Sequence, residues 1–378
     1  MQYRKFGQLD FQVSALGFGC MRLPFLDGDQ GKIAEAEAIA MIRHAIDQGV
    51  NYVDTAYFYH KGQSEVLVGK ALQDGYREKV KLATKFPAML AQTYADFDRY
   101  LNEQLQRLAT DHIDFYLMHG LSRRTWDKLK ELNFERFLEQ AKADGRIRNV
   151  GFSFHDEYPV FTEIVDAYPW TFCQIQYNYM DTEIQAGTAG LKYAAAKGLA
   201  IIVMEPIKGG KLAKNPPPQV QELWATSPVK SSPAARALRW VWNHPEVSML
   251  LSGMSSMEQV EENLRTADTA KVNDLAATEL ALIEQVKAVY KSLTKIDCTA
   301  CGYCQPCPAG VDIPRNFSLY NEAYIYDDFP SSRFAYKQFF QPSARASACT
   351  ECGNCEDVCP QHLTVRDYLK EVVNAMEE

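Results

Sequence analysis

Eight of the ten cysteines in this chain lie beyond residue 297, in two short runs that each close on Cys-Pro. The first run is Cys298, Cys301, Cys304 and Cys307, followed by Pro308. The second is Cys349, Cys352, Cys355 and Cys359, followed by Pro360. Three thiols, each separated from the next by two residues, can wrap one face of a cubic iron–sulfur cluster. A proline after the fourth thiol turns the chain away, so that this thiol can complete a second site. The spacing therefore calls for a small metal-bound region that folds around two centres.

Two other uses of the thiols compete with this one. Disulfides need an oxidising compartment, and residues 1–7 show no apolar run of a secretory leader. Zinc is the stronger rival, since eight thiolates can hold two tetrahedral ions. Zinc ribbons, however, split their ligands into knuckles roughly 15–20 residues apart, whereas here four cysteines crowd into 298–307 and four into 349–359. The pattern resembles the two-cluster bacterial ferredoxins and departs from them in one place. Only Gln305 and Pro306 separate the last two cysteines of the first run, where three residues are usual. That resemblance implies two [4Fe–4S] clusters with crossed ligation. Cys298, Cys301, Cys304 and Cys359 would share one cluster, and Cys349, Cys352, Cys355 and Cys307 the other. Cys20 and Cys173 stand apart and read as packed small side chains.

At 378 residues the chain suits one large domain plus a small one. Its net charge of −8 and its lack of a basic run argue against a nucleic-acid partner. No apolar stretch reaches the length of a membrane span, and thiolate-bound clusters suit a reducing cytoplasm.

Ahead of the cysteines, short apolar runs alternate with amphipathic ones. Strands are expected over 16–20, 52–56, 80–86, 113–119, 147–154, 172–178, 200–205 and 247–254. They are apolar on both faces, as buried parallel strands are. Helix-length segments such as 35–48, 94–108 and 132–143 lie between them. Eight strand–helix units predict a (β/α)8 TIM barrel over 1–294, with a small, mainly helical iron–sulfur domain over 295–378. Residues 3–13 read as a hairpin that plugs the barrel floor. A Pro-rich loop over 211–233 follows the seventh strand, and a helix over 276–293 is expected to close the barrel.

Catalysis in such barrels sits at the C-terminal strand ends. Those ends offer Asp54, Lys85 and His119, with Tyr59 in the loop after Asp54. The stretch from Asp54 to Tyr59, followed by Ser64, Glu65 and Gly69, resembles the first signature of the aldo-keto reductases. Residues 83–86 and 114–119 resemble its second and third. The likeness runs in order from residue 1 to about 290. It implies carbonyl reduction or alcohol oxidation with NADP or NAD, with Tyr59 as general acid, Lys85 and Asp54 tuning it, and His119 orienting the carbonyl. An ammonium beside a phenol lowers a pKa that is otherwise ~10.

The resemblance also implies the cofactor contacts. These are Gly19, Cys20, Met21 and Asp54 near the first strands, then Ser153, Gln174, Met204, Pro206, Ile207 and Gly209. Gly253, Ser255, Gln259, Glu262 and Asn263 complete the set. Three positions depart from the common pattern. His155 stands near a position where Asn is frequent, Met204 replaces an aromatic platform, and no Lys or Arg occupies 252–259. A strong preference for NADP(H) is therefore not expected. No flavin signature is visible, and the sequence does not exclude a flavin. The leading reading is a nicotinamide-dependent oxidoreductase acting on a small carbonyl or alcohol, whose clusters relay electrons or dock a redox protein partner. A non-enzymatic nicotinamide-binding sensor and an electron carrier with the barrel as scaffold stay open beside it.

Overall fold

The structure, a computed structural model, describes residues 1–269 and 271–378. It divides into two compact units, 1–207 with 234–275 and 208–233 with 276–378.

The first unit is a closed parallel barrel preceded by a hairpin. The hairpin strands are β1 (Tyr3–Lys5) and β2 (Gln12–Ser14), antiparallel with Tyr3 opposite Ser14. The barrel strands are β3 (Leu16–Gly19), β4 (Tyr52–Asp54), β5 (Lys81–Phe86), β6 (Ile113–Leu121), β7 (Ile147–Phe154), β8 (Phe172–Gln176), β9 (Ala200–Met204) and β10 (Met249–Gly253). They run in sequence order around the ring, and β10 closes against β3. Each is short and almost wholly buried, because helices cover one face and the barrel core the other. The eight-fold alternation is thus realised strand for strand.

Phe6, at the hairpin turn, is fully buried. Its ring lies 4.7 Å from Phe115, 5.7 Å from Phe172 and 6.2 Å from Tyr52. These rings and Met249 form one apolar cluster, so the hairpin plugs the barrel floor. Gly69 shows how closely the outer layer packs. A Cβ there would stand 2.7 Å from the Arg107 carbonyl oxygen, so the helices Gln63–Ala71 and Ala95–Leu108 meet backbone to backbone.

Three segments add to this outline. Segment 120–133 holds the helix Arg123–Glu131, started by Ser122 and Thr125, whose side chains each bond the other's backbone. Segment 211–233 is not bare loop. It holds the helix Pro218–Ala225, whose N-terminal proline gives up a hydrogen bond that the first turn lacks anyway. The helix Ala277–Leu293 groups with the second unit, where it packs on Pro218–Ala225. The units therefore part differently from a single cut near 295.

The second unit is helical. Ile313–Ile325, Phe329–Phe339 and Val365–Met376 enclose a core of Ile296, Val311, Phe317, Tyr336, Leu369 and Val372. Cysteines of both runs, among them Cys298, Cys304, Cys349 and Cys355, pack against this core. Among the described residues no helix is long and apolar enough to cross a membrane.

Truncating the floor plug should leave a cavity that the rigid strand ring cannot fill. Phe6→Ala is expected to cost about 3–5 kcal/mol, read as a lowered midpoint in denaturant unfolding. An unchanged midpoint would mean that the hairpin does not seal the floor.

Candidate functional site

The C-terminal strand ends bring three of the four expected catalytic side chains into direct contact. Asp54 ends β4 and Lys85 is the penultimate residue of β5. The Lys85 ammonium donates to Asp54 Oδ1 at 2.5 Å, to the Thr55 carbonyl at 2.8 Å and to the Tyr59 hydroxyl at 3.4 Å. Lys85 is 1% exposed and Asp54 2%. A lone ammonium at that depth would deprotonate. Here burial pulls the Lys85 pKa down, but Asp54 and Tyr59 more than offset it, so it lies above the ordinary lysine value. Burial raises the Asp54 carboxyl, opposed by Lys85.

For Tyr59 the balance differs from the sequence argument. Lys85 does lower its pKa, but burial is the larger effect, and the phenol lies above its ordinary value. His119, on β6, has its ring 6.1 Å from that of Tyr59 and nearly perpendicular to it. Burial, then Lys85 and His155, push its pKa well below the usual value, so His119 is a neutral imidazole. Its Nδ1 is buried without a hydrogen-bond partner. Phe58, 41% exposed, lies 6.1 Å from the His119 ring and gives the site an apolar edge.

A buried network stands behind Lys85. Gln104, fully buried, donates to the Lys85 carbonyl at 3.0 Å and to Glu65 Oε1 at 2.6 Å, and it accepts from the Tyr116 hydroxyl at 2.8 Å. Thr84 donates to Glu65 at 2.7 Å, and Arg107 reaches its other oxygen at 3.2 Å. Sequence reasoning missed Gln104. The signal was a polar residue within the buried stripe Phe97, Tyr100, Leu101, Gln104, Leu108 of one helix.

The expected cofactor contacts fall mainly on neighbouring strand ends. Gly19 ends β3, with Cys20 and Met21 just beyond, and the Cys20 amide donates to the Asp54 carbonyl at 2.8 Å. Burial raises the Cys20 and Cys173 thiols far above the ordinary value, as suits packed side chains. Ser153 and Gln174 pair across β7 and β8. Ser153 accepts from the Gly120 amide at 2.8 Å, while Gln174 Oε1 is buried with no partner. Unpartnered oxygen and nitrogen atoms of Gln174, in the middle of β8, and His119, near the end of β6, suit a polar ligand such as a nicotinamide cofactor and its substrate. His155 is half-buried, and desolvation pulls its pKa down to about 4 against a hydrogen bond shared with Gln185.

Met204 ends β9, and Pro206 and Ile207 follow it. Gly209 lies in the turn Lys208–Ala213, which groups with the second unit. Gly253 ends β10, and Gln259, Glu262 and Asn263 lie on the helix Met257–Thr269. Asn263 donates to the Ser252 hydroxyl at 3.0 Å, and Gln259 accepts from the Ser255 amide at 2.8 Å. The fold brings the stem of a basic residue beside 252–259. Arg22 lies against Gly253, where a Cβ would stand 2.8 Å from its Cγ, and its carbonyl accepts from the Ser255 hydroxyl at 2.7 Å.

In the second unit the two cysteine runs share a backbone shape. Ala300 and Glu351 both adopt φ of 56°, with Gly302 at 81° and Gly353 at 82°. The Ala300 amide donates to the Cys298 sulfur and the Glu351 amide to the Cys349 sulfur, each at 3.4 Å. Such turns gather amides around an anionic sulfur and suit an iron–sulfur cluster. Cys359 of the second run lies within electrostatic reach of the first run. Burial, and then charge on neighbouring cysteines that include Cys359, raise Cys304, which is pushed up to about 12. Cys359 likewise acts on Cys298 and Cys301. Cys355, pushed up to about 11 by burial, feels Cys349 and Cys352.

Comparison with known proteins agrees with both regions. The model of the aldo/keto reductase family matches residues 15–287, and that of a 4Fe-4S dicluster domain matches 297–364. An L-galactose dehydrogenase of Arabidopsis thaliana is 26% identical over 78% of this chain and 97% of its own length. An uncharacterized oxidoreductase of Bacillus subtilis is 27% identical over 79% of this chain and 98% of its own. Among solved structures, an aldo-keto reductase of Bacillus halodurans in its holo form superposes with a TM-score of 0.63. It is 28% identical and covers 76% of this chain and 96% of its own.

Proposed function

Since the chain belongs to the aldo/keto reductase family and is an NAD(P)-dependent oxidoreductase with a C-terminal 4Fe-4S domain, we propose that Tyr59 is its general acid in the reduction of a small carbonyl compound. The observation that carries this reading is the Lys85 ammonium, buried, held by Asp54, and 3.4 Å from the Tyr59 hydroxyl. The nicotinamide cofactor, when bound, supplies the hydride. Tyr59 gives its proton to the carbonyl oxygen, and Lys85 steadies the phenolate that is left. Neutral His119 holds that oxygen in place, and Gln174 and Ser153 orient the nicotinamide amide. Alcohol oxidation runs the same proton back to Tyr59.

In this reading residues 1–294 carry the hydride chemistry and 295–378 carry two [4Fe–4S] clusters, in a reducing cytoplasm. The crossed scheme has Cys359, which acts on Cys298, Cys301 and Cys304, complete the first run's cluster, and it gives Cys307 to the second run's. The clusters relay single electrons or dock a redox protein partner. Anaerobic purification with iron, sulfide, zinc and flavin analysis tests the metal reading directly. Stoichiometric zinc without iron would end it.

Three outcomes follow. Tyr59→Phe should lower carbonyl reduction by roughly 10²–10⁴-fold while nicotinamide binding survives. In the wild type, the raised Tyr59 pKa keeps the phenol protonated through neutrality, so reduction should hold into alkaline pH and alcohol oxidation should rise with pH. Lys85→Met removes the group that lowers this pKa, so the acid limb of oxidation should move to still higher pH or activity should vanish. Wild-type rates in both variants would refute the assignment.

Arg22→Ala should weaken NADH and NADPH together, by about tenfold, because Arg22 serves a phosphate common to both. Fluorescence titration reads this, and a loss confined to NADPH would reassign Arg22 to the 2′-phosphate. Finally, Cys359→Ser should cost the cluster bound by Cys298, Cys301 and Cys304, and Cys307→Ser the other. Iron counting with spectroscopy of the surviving cluster decides, and loss in the opposite pairing would show uncrossed ligation.

A further inference from the structure

The residues between the two cysteine runs form more than a linker. The helix Ile313–Ile325 carries two buried asparagines, Asn316 at 0% exposure and Asn321 at 5%. A buried carboxamide is costly unless its oxygen and nitrogen are both engaged, and both of these are.

Asn321 binds the chain as it enters the first run. Its Oδ1 accepts from the Lys295 amide at 3.0 Å and the Ile296 amide at 2.9 Å, and its Nδ2 donates to the Ile296 carbonyl at 2.7 Å. The same carbonyl accepts from the Cys298 amide at 2.8 Å. The first ligand of the first run is thus one hydrogen bond away from Asn321.

Asn316 does the equivalent for the second run. Its Nδ2 donates to the Asp312 carbonyl at 2.7 Å and the Ala344 carbonyl at 2.8 Å. Tyr336, fully buried, lies with its hydroxyl 2.8 Å from both Asn316 Oδ1 and Glu377 Oε1, and accepts from the Ala346 amide at 2.8 Å. Glu377 in turn accepts from the Ser347 amide at 3.2 Å. Residues 344–347 are therefore fixed at three points just before Cys349.

We propose that Asn321 and Asn316, the latter through Tyr336, are positioning residues for the two clusters, and that the helix carrying them is a common jig that sets each run's entry independently. The inference rests on the two-cluster reading. An apolar side chain at either position would fill space equally well, but it would leave backbone groups beside a ligand loop without partners. Neither asparagine touches a thiol, so each acts on its cluster through the backbone.

The test uses the full-length chain, purified and reconstituted under anaerobic conditions. Cluster loss is driven with a ferrous chelator, and the cysteines set free are alkylated and identified by peptide mass. In Asn321→Ala, Cys298, Cys301 and Cys304 should become alkylated about tenfold faster, by analogy with other groups that orient metal ligands. Cys349, Cys352 and Cys355 should keep the wild-type rate. In Asn316→Ala the selectivity should reverse. Tyr336→Phe removes one oxygen atom and keeps the ring, so it tests the second run even if Asn316→Ala does not fold. It should accelerate only Cys349, Cys352 and Cys355. Equal acceleration of both runs, or no change in Tyr336→Phe, overturns the proposal. A wild-type chain that takes up no iron, or a single cluster, fails the two-cluster reading instead, and the two failures are thereby told apart.

Discussion

The contact between Lys85 and Asp54 is the constraint on which the strand ends of the barrel unit depend. An ammonium that is 1% exposed persists only beside a partner that restores what water would have given. Asp54 supplies the charge, and the Thr55 carbonyl supplies a further acceptor at 2.8 Å. Because the two residues end adjacent strands, with Asp54 paired to Ala83 two positions before Lys85, the ring must close in this register for the pair to form. Strand register and ion pair are then one constraint, to which the Tyr59 hydroxyl is tied through Lys85. A slip by one residue would turn Lys85 away from Asp54.

That constraint also explains the shape of the surrounding shells. Glu65 is fully buried and approached by Thr84, Gln104 and Arg107, so a second buried carboxylate is neutralised one layer behind the first. Gln104 joins this layer to the Lys85 carbonyl. The cluster unit follows another logic. Its ligand loops carry little secondary structure, and their shape comes from left-handed residues and from anchors at their entries.

Much of this was legible in the sequence because the signals were local. Apolar runs with charged or polar C-terminal ends located the strands and gave Asp54, Lys85 and His119 at once. The cysteine spacing needed no fold at all. What escaped was non-local. Arg22 meets Gly253 only because β10 closes against β3, and no window of sequence contains both. The net direction at Tyr59 depends on how far burial exceeds the pull of Lys85, a balance that residue type alone does not set. The helices at Arg123–Glu131 and Pro218–Ala225 were short, and prolines or polar residues masked them.

The second unit is assembled from 208–233 and 276–378, so the chain passes between units at three places. It is therefore not an appendage that one cut could remove or one fusion could transplant. Leu212, Val220 and Trp224, all buried, leave the ribosome before the helices they will join, and they stay uncovered until the C-terminal part has been made. Removing everything after residue 275 would take away the helix Ala277–Leu293 on which this segment packs and leave its apolar side chains uncovered. A chain built this way inherits or loses its two halves together, which favours keeping hydride and iron–sulfur chemistry in one gene product.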